Sequence, residues 1–226
     1  MSNDNSNHSS TKKTVKDPQA VNKALNFPGS EEFDKDLTAL MEAENAEEGD
    51  SIIISLIDLD HFMDVNTRFG MEAGDKVLID TGLYIKNSIP EDAKVYRIGG
   101  DEFGIIFHGD FEKEDVFLAL EDLRRGYPVV NPDGEKISLS IGMSVAFEDA
   151  NRVQELTRKA DSAMFRAKYS GRDRVAMAKE EKMVPKTSHY TQEQLKRLTK
   201  LSKREGVGEA ILLREALDML FKKYDI

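Results

Sequence analysis

The sequence predicts an α+β fold, a central antiparallel sheet with helices packed on it, followed by a small helical module. Three observations point there. Ser51 to Ile57 is a run of aliphatic, mostly β-branched residues closed by Asp58-Leu59-Asp60, and it reads as a buried strand. Two short apolar runs, Ala93 to Ile98 and Phe103 to Phe107, flank a tight glycine turn and read as a β-hairpin. Segments with helical apolar spacing separate these from an alternating strand at Ile137 to Phe147. The order strand, helix, hairpin, helix, strand lays helices on a sheet.

The chain has 226 residues, enough for one ordinary domain and a small module. Its net charge of -10 excludes a chain-wide nucleic-acid-binding surface, and the absence of cysteine excludes disulfide and thiol chemistry. No apolar run is long enough to cross a bilayer, and the first residues lack the apolar core of a signal peptide. A soluble cytoplasmic protein with no membrane contact is the expectation. Residues 1–16 are almost wholly polar and are expected to be disordered. They are too few to form a sensory domain, so input is expected from elsewhere.

A helix is expected over Ser30 to Glu44, with Ser30 as N-cap and Phe33, Leu37, Leu40 and Met41 as its apolar stripe. Another spans Lys76 to Lys86, for which Gly74-Asp75 could serve as the N-cap. Glu112 to Arg125 presents Val116, Phe117, Leu120 and Leu123 on one face. Val153 to Tyr169 presents Leu156, Ala160, Ala163, Met164 and Ala167, with Lys168 and Arg172 at its end, where a helix dipole attracts cations.

Chemistry concentrates at the hairpin tip. Gly99 and Gly100 permit φ > 0 and close approach of another molecule. Asp101 and Glu102 are adjacent carboxylates, costly together unless a cation or a proton-transfer role occupies them. A polar turn is the plain alternative, since turns favour Gly and Asp. Asp58 and Asp60 close the first strand. Carboxylates on a strand end beside carboxylates on a hairpin tip suit Mg²⁺, which takes one or two of them and fills its shell with phosphate oxygens and water.

Three motifs in order, DLDHF from Asp58 with Asn66 and Gly74-Asp75 after it, RIGGDEF from Arg97 to Phe103, and AKYSGR from Ala167 to Arg172, resemble those of the GGDEF domain, the diguanylate cyclase family. The resemblance covers roughly residues 22–178. It implies a palm similar to that of nucleotidyl cyclases and polymerases, and condensation of two GTP into cyclic di-GMP and two pyrophosphates. It implies that Asp58, Asp101 and Glu102 are catalytic and that they hold Mg²⁺ or Mn²⁺ together with the carbonyl of Leu59. Asn66 and Asp75 would bind the guanine edge, Gly99 and Gly100 would let the phosphates approach, and Lys168 and Arg172 would contact the triphosphate. Each subunit would hold one GTP, so a homodimer is required to bring two half-sites face to face.

Departures from the family pattern are as informative. Met63 stands where a phosphate-binding lysine is usual, and Thr67 and Met71 replace the usual Asp and His. Residues Asn22 to Phe33 keep only the closing Phe33 of the usual DxLTGLxNRxxF segment. Pro90 and Ala93 replace the Arg and Asp of the product-binding RxxD, which predicts no product inhibition there. A catalytically degenerate nucleotide-binding effector is therefore an alternative, opposed by the intact Asp58, Asp101 and Glu102. A cyclase of another dinucleotide is a further one, opposed by Asp75.

Residues 179–226 carry 11 Lys or Arg against 8 Asp or Glu, whereas the remainder carries 21 against 34. Thr191-Gln-Glu-Gln194 is a capping box. It starts a helix with Leu195, Leu198 and Leu201, and after Gly206-Val207-Gly208 a second helix carries Leu212, Leu213, Ala216, Leu217, Leu220, Phe221 and Tyr224. Two short helices cannot bury that much apolar face alone, so this module is expected to dimerise. It resembles a ribbon-helix-helix domain, whose strand would be Pro185 to Tyr190, with Thr187 and His189 facing DNA. DNA is thus a further partner to consider for residues 185–226 under a regulator reading, although Pro185 limits strand pairing and Glu209 is unfavourable to phosphate. A helical tail packed on its own domain is the alternative. The expected division is 1–16 tail, 17–178 cyclase-like domain and 179–226 module.

Overall fold

The computed structural model describes residues 20–43, 50–179, 185–205 and 208–224. The expected disordered tail, the end of the first helix at Glu44 and the Gly206-Val207 break lie outside them. The chain separates into two compact units, the first reaching Lys179 and the second starting at Glu180.

The first unit is built on strand β1, Ser51–Leu59, whose residues are buried on both faces. Strands β2 (Lys94–Arg97), β3 (Glu102–Gly109), β4 (Leu139–Val145) and β5 (Arg174–Met177) complete a sheet of order β2-β3-β1-β4-β5. Alternation along β1 divides the core. Ile53, Ile57 and Leu59 face one cluster, and Ile52, Ile54 and Leu56 face the other. Helices α1 (Ala20–Leu25), α3 (Phe62–Phe69), α4 (Met71–Ser88) and α5 (Lys113–Gly126) supply residues to the first cluster, and α2 (Ser30–Ala43) and α6 (Val153–Tyr169) to the second. Asp58 has the parity of Ile54 and Leu56 and therefore lies on the α6 side.

Several expectations are corrected. The sheet is not wholly antiparallel: β5 runs parallel to β4, because the α6 crossover returns the chain in its original direction. Strand β4 begins at Leu139, not at Ile137, whose N–H donates to Val129 O. Ser30 is the first helical residue of α2, and the Glu32 carboxylate reaches back to Gly29 N–H at 3.1 Å. Gly74 and Asp75 are not an N-cap, because α4 starts a turn earlier, after Gly70 at φ 84°.

The N-terminal segment, although it departs from the family pattern, packs well. Phe27 meets Phe103 edge to face at 6.4 Å, and Arg97 N–H donates to Pro28 O at 2.9 Å. In the second unit, α7 (Gln192–Glu205) starts on the expected capping box. Thr191 N–H donates to Gln194 Oε1 at 2.9 Å and Gln194 N–H donates to Thr191 Oγ1 at 3.2 Å. Helix α8 (Glu209–Tyr224) follows, with Thr199 Oγ1 donating to Glu209 Oε1 at 2.6 Å. Residues 185–190, the expected strand from Pro185 to Tyr190, form no strand in the single chain. Leu195, Leu217, Leu220 and Tyr224 are exposed in the single chain.

Candidate active site

The site lies where β1, the β2–β3 turn and the end of α6 meet. The β1–β3 register sets Asp58 opposite Glu102, and Leu59 N–H donates to Asp101 O at 3.3 Å. Three carboxylates from two elements are thus brought together by a ladder whose register the hydrophobic pattern dictates. Asp58 is only 5% exposed. Burial pushes its carboxyl up to about 7. The Lys168 ammonium, 2.6 Å away, opposes that shift, and the charges of Asp101 and Glu102 reinforce it. Burial thus outweighs a close ion pair.

At the turn, Ile98 and Gly99 N–H both donate to Glu102 O, at 3.1 and 3.2 Å. Neither Gly99 nor Gly100 takes a left-handed φ, so conformational freedom is not what requires them. Space is the reason at Gly99: a Cβ would come within 2.7 Å of Glu102 Oε2. At Gly100 no atom lies within 4 Å of such a Cβ, which leaves the backbone open to approach. Arg97, given no role by the sequence reading, holds this turn. Its Nη2 donates to Gly100 O at 2.8 Å and its Nη1 to Asn22 Oδ1. Asp75 and Asp101 both act on its guanidinium, against the downward pull of burial. Arg97 therefore lies between the expected base-binding and metal-binding carboxylates.

Asn66 Oδ1 is buried and has no hydrogen-bond partner, an acceptor suited to an N–H of a ligand. A Cβ at Gly74 would overlap that oxygen. Gly74→Ala is therefore expected to displace the Asn66 amide and weaken guanine nucleotide binding about tenfold, as for a lost hydrogen bond to a buried polar group. Calorimetric titration with GTP measures it, and unchanged affinity would sink the assignment of Asn66.

Lys168 and Arg172 occupy the end of α6, which closes in a Schellman motif. Arg172 N–H donates to Ala167 O at 3.0 Å and Gly171 N–H to Lys168 O at 3.3 Å, with Gly171 at φ 107°. The motif puts both cations beside the end of β1, Lys168 on Asp58 and Arg172 Nε at 3.8 Å from Asp60. Asp60, expected to belong with Asp58 in an acidic cluster, is engaged elsewhere. Ser138 and Ser140 hydroxyls each donate to it at 2.7 Å, and Asp173 N–H donates at 3.2 Å. Ser138 and Ser140 went unmarked in the sequence. The signal was their spacing, which sets them on one face of the chain entering β4.

The residues fit a hard divalent cation. Asp58 already faces a cationic ammonium as a stand-in, and its neighbours are carboxylate oxygens. Among the described residues no group of three or more His, Cys, Asp or Glu is close enough to hold an ion by itself. Phosphate oxygens would have to complete the shell.

Comparison with known proteins agrees with this architecture. A family model described as diguanylate cyclase, GGDEF domain, matches residues 26–174, and the chain belongs to that family. A ribbon-helix-helix domain model matches residues 183–225. The GGDEF domain of YfiN, or TpbB, from Pseudomonas aeruginosa aligns with a TM-score of 0.64 at 27% identity, over 70% of this chain and 99% of that one. The coiled coil and GGDEF domain of DgcB from Caulobacter crescentus, in complex with c-di-GMP, aligns with a TM-score of 0.62 at 26% identity, over 69% and 84%. An uncharacterized membrane protein of Staphylococcus aureus (strain USA300) is 33% identical over 150 residues, covering 64% of this chain and 42% of that protein. The chain thus spans less than half the length of this curated relative. That relative's description as a membrane protein overturns the expectation of a cytoplasmic protein. Among the described residues no helix is long and apolar enough to cross a membrane.

Proposed function

We propose that the chain is a diguanylate cyclase, condensing two GTP into cyclic di-GMP and two pyrophosphates, with its C-terminal module pairing two subunits. The observation that carries this reading is the convergence of Asp58, Asp101 and Glu102 beside Lys168 on a GGDEF-family sheet. A protein that only binds nucleotide gains nothing from a buried carboxylate with two like charges beside it.

Asp58, Asp101, Glu102 and the carbonyl of Leu59 would hold Mg²⁺ or Mn²⁺, which when bound polarises the α-phosphate and favours ionisation of the attacking 3′-hydroxyl. Asn66 and Asp75 orient the guanine. The open backbone at Gly99 and Gly100 lets the phosphates lie against the turn, and Lys168 and Arg172 neutralise charge on the departing pyrophosphate. Met63 is 73% exposed, so an uncharged side chain there costs the fold nothing and removes one phosphate contact. The exposed leucines and tyrosine of α7 and α8 support pairing of subunits through the module, which brings two half-sites within reach. DNA binding by the same module is a compatible second reading, supported by the ribbon-helix-helix match.

Product analysis tests the reading. Purified chain incubated with GTP and Mg²⁺ is expected to yield cyclic di-GMP by mass spectrometry, and Asp101→Ala/Glu102→Ala is expected to yield none. A folded wild-type dimer that forms no product would overturn the cyclase reading in favour of a binding-only domain.

A further inference from the structure

We infer that Asp60 is a positioning residue: it holds the Gly171–Asp173 loop in the strained form that presents Arg172 to the triphosphate. The inference rests on the cyclase reading for the identity of the ligand. Its basis is the geometry around Asp60.

The Asp60 side chain is fully buried, with a relative exposure of 0%. A carboxylate so placed needs its oxygens satisfied. Oδ1 accepts from Ser140 Oγ at 2.7 Å and faces Arg172 Nε at 3.8 Å. Oδ2 accepts from Ser138 Oγ at 2.7 Å and Asp173 N–H at 3.2 Å. Two of these four partners come from β4 and its approach, and two from the loop after α6. Asp60 therefore pins that loop to the sheet.

The loop needs pinning. Arg172 and Asp173 have φ of 59° and 48°, successive non-glycine residues in the left-handed region. Each is disfavoured and persists only where surroundings determine it. Arg124 Nη1 donates to Asp173 Oδ1 at 2.7 Å, and Arg174 Nε donates to Arg172 O at 3.0 Å. Both of those contacts lie at the exposed side of the loop, whereas Asp60 grips it from beneath. Its charge lies 3.8 Å from Arg172 Nε, an electrostatic contact that favours the guanidinium on the sheet side of the loop. Asp58 and Asp60 thus divide the work of two like residues. Asp58 shares its environment with Asp101 and Glu102, and Asp60 is committed to the loop.

The test is calorimetric titration of the full chain with GTP and with GMP in Mg²⁺. Wild type is expected to prefer GTP. Asp60→Asn, which replaces one acceptor oxygen with an amide donor facing hydroxyl or N–H donors, is expected to weaken GTP about tenfold and GMP less than about twofold. Ser138→Ala, removing one bond to Oδ2, is expected to move the GTP-to-GMP ratio in the same direction by about threefold, and it carries the test should Asp60→Asn fail to fold. In an Arg172→Ala background, Asp60→Asn is expected to add no further loss. Equal weakening of both nucleotides, an unchanged ratio, or additive losses with Arg172→Ala would overturn the inference and leave Asp60 a purely structural residue. A wild type that binds GTP no better than GMP would overturn the cyclase reading itself, and the inference with it.

Discussion

Asp58→Asn is expected to reduce cyclic di-GMP formation by at least about a thousandfold while the chain remains folded. The loss follows from removing the one carboxylate that meets the hairpin tip from β1, where charge must be neutralised in the transition state. The fold survives because Asn has the same shape and Lys168 retains an oxygen to donate to. The same substitution is expected to change how stability depends on pH. Wild-type Asp58 is raised from 3.8 to about 7 by burial, so the folded chain holds a proton that the unfolded chain releases near pH 4. Below about pH 4 both states are protonated and the contribution is fully present. Between about 4 and 7 the unfolded state alone ionises, and stability falls with rising pH, by on the order of 4 kcal/mol in total. Above 7 the contribution is gone. Urea unfolding at pH 4.5, 6 and 7.5 is expected to show this decline in wild type and to show it diminished in Asp58→Asn; parallel curves would refute the assignment. Cation binding runs the other way, tightening as pH rises across this window, because it requires the ionised carboxylate.

Gly142→Ala is expected to destabilise the first unit by about 3 kcal/mol or more, enough to unfold a marginal domain. Gly142 lies in β4 beneath α6. A Cβ there would overlap the carbonyl oxygen of Ala160 and the amide nitrogen of Met164, and would stand 2.8 Å from Met164 Cβ. These are largely backbone atoms of a helix, which cannot rotate aside, so α6 would have to lift from the sheet. Chemical denaturation measures the cost. Gly100→Ala is the control: with no atom within 4 Å of the added carbon, it is expected to unfold with wild type. A Gly142→Ala chain of wild-type stability would mean that α6 is seated less closely than described.

Elements with long periodic patterns were legible in the sequence. Val153–Tyr169 is helical over the span expected, and the first strand and hairpin lie where their apolar runs put them. The edge strand β5 was not legible: β2, equally short, is marked by the glycine turn it shares with β3, whereas β5 is paired only through the α6 crossover. The site was legible in its residue types, through motifs whose order is specific. Its internal division of labour was not. Asp58 and Asp60 look alike in the chain, two residues apart on one face, and only the approach to β4 shows that serines claim the second. Gly99 and Gly100 invited an argument from φ, but the structure makes Gly99 a matter of room for Glu102. Arg97 sat inside the motif without a role, because the partner that reveals it, Asn22, is remote in sequence.

The central position of β1 has a consequence for how preparations of this protein behave. Asp58 is paired across one ladder with Glu102 and across the other with Ser140. A slip of one residue would turn both aspartates into the opposite apolar layer and leave Ile57 or Leu59 facing the hairpin tip. A slip of two would set Leu56 or Asp60 there instead. Only the native register sets Asp58 against Glu102 while Ser138 and Ser140 hold Asp60, so the full constellation forms with correct assembly alone. Under the cyclase reading, titrating active sites would therefore count correctly registered molecules, and specific activity would report folding fidelity.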